Sequence, residues 1–148
     1  MKVKIAAYID GASRGNPGPS AVGIFISDSS GNDILRQGEF IGQTTNNVAE
    51  YTALIRMLKH LNKLLKSKTA EINVYSDSEL LVKQMNGDYR IKSAHLIPLA
   101  IEARKLLKAY SHLKLNLINR EQNKIADKLA NKTLNIEKEA NELSRAAM

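Results

Sequence analysis

Four carboxylates sit where their neighbours could put them to chemical use. Asp10 ends an alternating apolar run and opens the loop DGASRGNPG (10–18), and Glu50 lies in TTNNVAEY (44–51). Asp77 follows another apolar run in YSDSELLVKQMNG (75–87), and Asp127 lies in REQNKIADKLAN (120–131). Each has an ordinary structural explanation. Asp10 can open a turn, Asn47 and Glu50 can form a capping box, Asp77 can cap a helix, and Asp127 can be an exposed residue inside the last helix. As a set they suggest more. Clustered carboxylates repel unless cations neutralise them, and hard divalent cations prefer oxygen donors while keeping positions for water and phosphate oxygens. Two such ions roughly 3.5–4 Å apart can activate a water against a phosphodiester and stabilise the leaving oxygen. The chemistry these residues suit is phosphodiester hydrolysis.

The elements that must carry them are readable from periodicity. Val3, Ile5, Ala7 and Ile9 alternate with Lys4, Ala6, Tyr8 and Asp10, which predicts a first strand ending at Asp10. AVGIFIS (21–27) and DILRQGEFIG (33–42), separated by the turn DSSGN (28–32), predict two further strands of an antiparallel meander. From Asn47, the expected N-cap, Tyr51, Leu54, Leu58, Leu61 and Leu65 recur at helical spacing. EINVYS (71–76) predicts a fourth strand and SELLVKQMNG (78–87) a short helix stopped by its glycine. HLIPLAIEARKLLKAY (95–110) predicts a helix with Pro98 in its first turn. LKLNLI (113–118) predicts a fifth strand, and a last helix starts near Asn123 and runs into a polar, frayed extension after about Leu134. The order βββαβααβα implies an α/β fold with a mixed five-stranded sheet flanked by helices. Asp10 and Asp77 then fall at strand ends, where ligands gather in open α/β sheets. Ala126 and Ala130 beside Asp127 would let the last helix approach another element closely.

Composition narrows the classes. At 148 residues, 43% of them hydrophobic, the chain suits one domain with a substantial core. It has no Cys, which excludes disulfides and thiolate metal sites. His60, His95 and His112 have no metal-ligand spacing and read as helix-surface, loop and helix-end residues. No apolar run approaches a membrane span and no signal-peptide pattern opens the chain, so a cytoplasmic protein is expected. The net charge is +7, and residues 56–110 carry eleven basic against five acidic side chains. Such a concentration suits a polyanionic partner, while seven aromatics and no Trp argue against base stacking as the main grip.

The four quoted segments, in this order and spacing, resemble the type 1 ribonuclease H family over about residues 3–133. The resemblance implies the ribonuclease H-like fold, which agrees with the element order above. It implies that Asp10, Glu50, Asp77 and Asp127 hold two Mg²⁺ ions, with Mn²⁺ as a substitute. The implied reaction is endonucleolytic hydrolysis of the RNA strand of RNA–DNA hybrids, leaving 5′-phosphate and 3′-hydroxyl ends. Asn16, Asn46 and Asn47 would contact the RNA on its minor-groove side, and Thr45 a phosphate of the DNA strand. Amide side chains suit that task because they can donate to and accept from a 2′-hydroxyl. The small residues after Asp10 would leave room for a substrate backbone. A ribonuclease H domain at 1–135 with a polar helical extension at 136–148 is expected, with no further domain ahead of it. A monomer without an obligate protein partner is expected as well.

The chain departs from the family pattern in three places. Many bacterial relatives place a His in the loop before the last carboxylate. Here Arg120, Glu121 and Gln122 stand there, as in the family branch with an Arg-Glu-x-Asn stretch. Arg120 is thus a candidate for positioning phosphate or product, beside its plainer reading as a surface arginine. Glu79 occupies a position that is neutral in many relatives. The basic, Trp-bearing protrusion of some members is replaced by the short NGDYRIKSAH (86–95), leaving Lys83, Arg90 and Lys92 to supply part of the affinity. Two other readings compete: a module that binds nucleic acid without cutting, and a metal-dependent nuclease with another substrate, as in transposases and resolvases. Degenerate modules usually lose a carboxylate, whereas all four stand here. The NxxVAE and RExNxxAD contexts favour the hybrid nuclease.

Overall fold

The computed structural model describes residues 3–147. Along the chain come β1 (Lys4–Ser13), β2 (Gly18–Asp28), β3 (Asp33–Thr44), α1 (Asn46–Leu64) and β4 (Glu71–Ser76). They are followed by α2 (Glu79–Met85), α3 (Ile97–Leu107), β5 (His112–Leu117), a 3₁₀ turn (Arg120–Asn123) and α4 (Lys124–Ala146). This is the expected order with the 3₁₀ turn added. The strands form one five-stranded sheet in the order β3-β2-β1-β4-β5. β1 is antiparallel to β2 but parallel to β4, and β4 is parallel to β5. The C-terminal ends of β1 and β4 therefore lie side by side at the centre of the sheet.

One face of the sheet holds the core. Ile5, Ala7 and Ile9 of β1, Val22, Ile24 and Ile26 of β2, and Ile72 and Val74 of β4 pack against Leu54, Met57, Leu58 and Leu61 of α1 and Leu81 of α2. Burying each such side chain contributes roughly 1.5–3 kcal/mol, so α1 is held to the sheet along most of its length. The other face is crossed by α4, which buries Ala126, Ala130 and Leu134. The small residues set its distance: a Cβ on Gly23 would lie 1.9 Å from the Ala126 carbonyl oxygen. The expectation that the alanines permit close approach is met, with β2 as the element approached.

Several boundaries differ from the sequence reading, each for a physical reason. β1 does not stop at Asp10. Gly11, Ala12 and Ser13 pair with Val22, Ala21 and Ser20, so cross-strand bonding carries poor β-formers into the strand. The N-cap of α1 is Thr45, whose hydroxyl accepts from the Val48 N–H at 3.3 Å. Asn47 consequently lies inside the first turn, and the Asn47–Glu50 capping box does not form. α3 is shorter than its apolar pattern, although Pro98 does fall in its first turn. The polar extension after Leu134 is the uninterrupted continuation of α4 to Ala146. His60 is half-buried against Glu39 rather than free on the helix surface, and His112 begins β5 rather than ending a helix.

Candidate active site

The last residues paired between β1 and β4 are Ile9 and Ser76. The next positions, Asp10 and Asp77, are therefore neighbours by topology. Asp77 is free of capping duty, since Ser78 caps α2 by accepting from the Leu81 N–H at 3.2 Å. The Ser76 hydroxyl accepts from the Ser78 N–H at 3.1 Å and fixes the bend between them.

Glu50 arrives from the α1 side. Its Oε1 accepts from the Gly11 N–H at 2.6 Å, which holds the carboxylate beside Asp10. That bond exists because position 11 has no side chain: a Cβ there would lie 2.3 Å from the Ala49 carbonyl carbon. The glycine after Asp10 thus serves the close packing of α1. Asp127 arrives from the α4 side. The 3₁₀ turn ahead of α4 puts Asp127 in the first helical turn instead of the interior, where the helix dipole favours a negative charge.

One oxygen each from Asp10, Glu50 and Asp77 lie within 4.8 Å of one another. Asp127 falls outside that group of three, near enough that its charge helps to raise Asp10. Asp10 and Glu50 are each only 6% exposed. Burial, and then the charges of Glu50, Asp77 and Asp127, raise the Asp10 carboxyl from 3.8 to about 9. Burial and the Asp77 charge raise Glu50 from 4.5 to about 8, against the opposing pull of the Gly11 N–H and Arg120. Burial also raises Asp77, partly offset by the Arg120 charge and the Asn123 amide. The chain gathers negative charge here and supplies little of its own to balance it.

These groups line a cleft of about 520 Å³ that also includes Asn46, Asn47, Glu79, Arg120 and Asn131. Asn46 and Asn47 are exposed at its edge, and Arg120 is near enough to act on Glu50 and Asp77. Asn16 and Thr45 stand outside the lining. Asn16 Oδ1 accepts from the Asn46 N–H at 3.1 Å, and the Thr45 hydroxyl is engaged by the α1 cap. Lys83 lies on α2, and Arg90 and Lys92 are exposed beyond it.

Two residues at the site had no assigned role in the sequence reading. Asn123 is 1% exposed, and its Nδ2 donates to the Ile9 carbonyl at 2.8 Å, bracing β1 just before Asp10. Asn131 donates from Nδ2 to Asp127 Oδ1 at 3.1 Å. Both stand four positions from Asp127, one turn of helix on either side, and that spacing was the available signal.

The donor set is all oxygen, converges on one point and has raised proton affinity. It fits a hard divalent cation, for which such carboxylates are the usual ligands.

Comparison with known proteins adds to this picture. Residues 8–133 match the family described as "Reverse transcriptase-like". The chain is 37% identical over 131 residues to a protein named Ribonuclease HI from Halobacterium salinarum, a match covering 88% of this chain and 64% of that protein. It is 39% identical over 132 residues to a Mycobacterium tuberculosis protein described as bifunctional, covering 88% of this chain but 35% of that one. The chain thus spans less than two thirds of the length of these relatives. The crystal structure of RNase H1 from H. salinarum superimposes with a TM-score of 0.84 at 37% identity, covering 89% of this chain and 98% of that one. LC11-RNase H1, solved in complex with an RNA/DNA hybrid, does so with a TM-score of 0.81 at 40% identity, covering 86% and 94%.

Proposed function

The chain belongs to the type 1 ribonuclease H family, and from that premise we propose that it is an endonuclease cutting the RNA strand of RNA–DNA hybrids. The products would be 5′-phosphate and 3′-hydroxyl ends. The observation that carries this reading is the convergence of Asp10, Glu50 and Asp77 oxygens within 4.8 Å, with Asp127 lining the same cleft.

In this reading the four carboxylates hold divalent cations, two Mg²⁺ with Mn²⁺ as a substitute. Such ions supply a water-derived nucleophile near neutral pH and charge stabilisation at the leaving oxygen. The protein's share is placement. Gly11 and Asn131 orient Glu50 and Asp127 through hydrogen bonds, and Asn123 braces the end of β1. Asn46 and Asn47 present amides to a 2′-hydroxyl, the group that separates RNA from DNA, with Asn16 beside them. Thr45, at the start of α1, contacts a phosphate of the DNA strand, where the helix dipole also favours an anion. Arg120 steers a phosphate or product beside Asp77. Of the expected segments 1–135 and 136–148, the described residues up to 135 form the nuclease domain and those from 136 to the end of α4 its helical extension, with residues 1, 2 and 148 outside the described residues. The protein works as a monomer in the cytoplasm; no described helix is long and apolar enough to cross a membrane.

The test is cleavage of a strand-labelled hybrid with Mg²⁺ by the wild type beside Asp77→Asn, with duplex RNA and duplex DNA as controls. Cutting confined to the RNA strand and to the wild type is the expected result. Binding by both proteins without cutting by either would favour the non-cutting module. Cleavage of duplex DNA in preference to the hybrid would favour the nuclease of different substrate.

A further inference from the structure

The loop between β1 and β2 is fastened on two sides by contacts that lead to the carboxylates. Toward α1, Asn16 Oδ1 accepts from the Asn46 N–H at 3.1 Å. Toward α4, the Arg14 guanidinium donates to the Asn131 carbonyl oxygen at 3.3 Å and to Asn135 Oδ1 at 2.6 Å. Asn131 in turn donates from its side chain to Asp127 Oδ1 at 3.1 Å and to the Asp127 carbonyl oxygen at 3.0 Å. A continuous run of polar contacts therefore joins Asp127, Asn131, Arg14, the Asn16 loop and the first turn of α1.

We propose that Arg14 is a positioning residue that clamps the Asn16 loop to α4, keeping the RNA-contacting amides in register with Asp127. Its chemistry suits the task. Residues 131 and 135 are one helical turn apart on the same face, and one guanidinium nitrogen of Arg14, with its two N–H groups, serves both acceptors. The loop's remaining bonds hold it to itself and to the strands: the Ser13 hydroxyl donates to the Gly15 carbonyl oxygen, and the Ser20 hydroxyl to the Gly18 carbonyl oxygen at 2.9 Å. Arg14, Gly15, Asn16 and Pro17 are exposed, and the Arg14 N–H to Pro19 carbonyl bond at 2.9 Å closes the loop without tying it to a helix. Asn135 lies past residue 133, where the family match ends, so the continuation of α4 supplies part of the clamp. An exposed contact of this kind contributes little to global stability. Its effect is local order.

The kinetic consequence rests on the hybrid-nuclease reading, whereas the geometry does not, so the test has two readouts. Arg14→Ala, Asn135→Ala and the double variant are compared by steady-state cleavage of the hybrid and by amide hydrogen exchange at residues 14, 15, 16 and 18 of the free protein. Each single variant should raise KM about three- to tenfold with kcat within about twofold, the scale of one partly exposed hydrogen bond. The double variant should be no worse than Arg14→Ala, because both changes break one clamp. Exchange in the loop should quicken in all three. If Arg14 instead grips a substrate phosphate directly, Asn135→Ala keeps the wild-type KM and Arg14→Ala lowers the salt slope by about one; that result overturns the proposal. So does unchanged loop exchange in the variants. A wild type that fails to cut the hybrid counts against the proposed function, and loop exchange alone then decides the clamp.

Discussion

α1 handles two carboxylates in opposite ways. Near its middle, Arg56 and His60 reach across to Glu39 of β3 at 2.8 Å each. Burial pushes Glu39 up, but the hydrogen bonds and charges of His60 and Arg56 outweigh it and hold the carboxyl below its ordinary value. Just past its first turn the same helix carries Glu50 into a group of like charges, with one backbone N–H and a nearby arginine for company. The first arrangement is complete within the chain. The second is stable only with protons or a cation supplied from outside, and that is the physical signature of a binding site as opposed to a structural ion pair.

The contrast can be broken most severely at Asp77. Asp77→Asn should lower kcat by about a thousandfold or more, the scale expected when a metal ligand is lost, while hybrid affinity survives because the basic residues remain. Single-turnover cleavage and a binding isotherm measured on one preparation check this, and wild-type-like turnover would remove Asp77 from the site.

The next largest effect is a difference in sign with pH. Asp10 and Glu50 titrate at about 9 and about 8 when folded, well above 3.8 and 4.5. Between those limits the metal-free native state binds more protons than the unfolded chain, so its stability falls as pH rises through that window. Glu39 runs the other way. Its folded value is depressed, so its contribution is present above the unfolded value and is lost as pH falls through the folded one. In chelator, Tm should therefore decline from pH 5 to pH 9. Mg²⁺ or Mn²⁺ should restore more of it at pH 9 than at pH 5. A Tm profile identical with and without the cation at every pH would falsify the cluster as a cation site.

Glu39→Gln sharpens the comparison from the other side. It should cost about 1–2 kcal/mol at pH 7, since partly exposed Arg56 and His60 lose an anionic acceptor, and leave kcat near the wild-type value. Urea denaturation at pH 7 and pH 4 checks it, with the difference from wild type shrinking at the lower pH. The smallest effect belongs to Asn47→Ala. It should weaken the preference for ribonucleotides about fivefold, the worth of one neutral hydrogen bond, with little change in binding to DNA. Equal losses for both strands would return Asn47 to a purely helical role.

Much of this was legible from the residues. The order of elements along the chain followed from alternation and helical spacing, and the burial of Ile5, Ala7 and Ile9 confirms the first strand's inner face. What misled was local chemistry with two possible uses. Asn47 and Glu50 have the spacing of a capping box, yet Thr45 takes the cap and Glu50 turns to Gly11. Gly11, Ala12 and Ser13 read as loop, yet β2 offers them partners. Asp127 reads as interior to a helix, yet with α4 starting at Lys124 it falls in the first turn. His60 reads as surface because its partner is twenty-one residues away on another strand.

The sequence by itself determined which elements form, which faces they bury and which four acids lie where those elements end, because periodicity and turn chemistry act over a few residues. Tertiary structure decided what those acids do to each other. The parallel pairing of β1 with β4 sets Asp10 beside Asp77, while Gly11 and Gly23 let α1 and α4 close in from opposite faces. Charge repulsion and desolvation depend on distance and depth, and both exist only once segments more than a hundred residues apart are packed together.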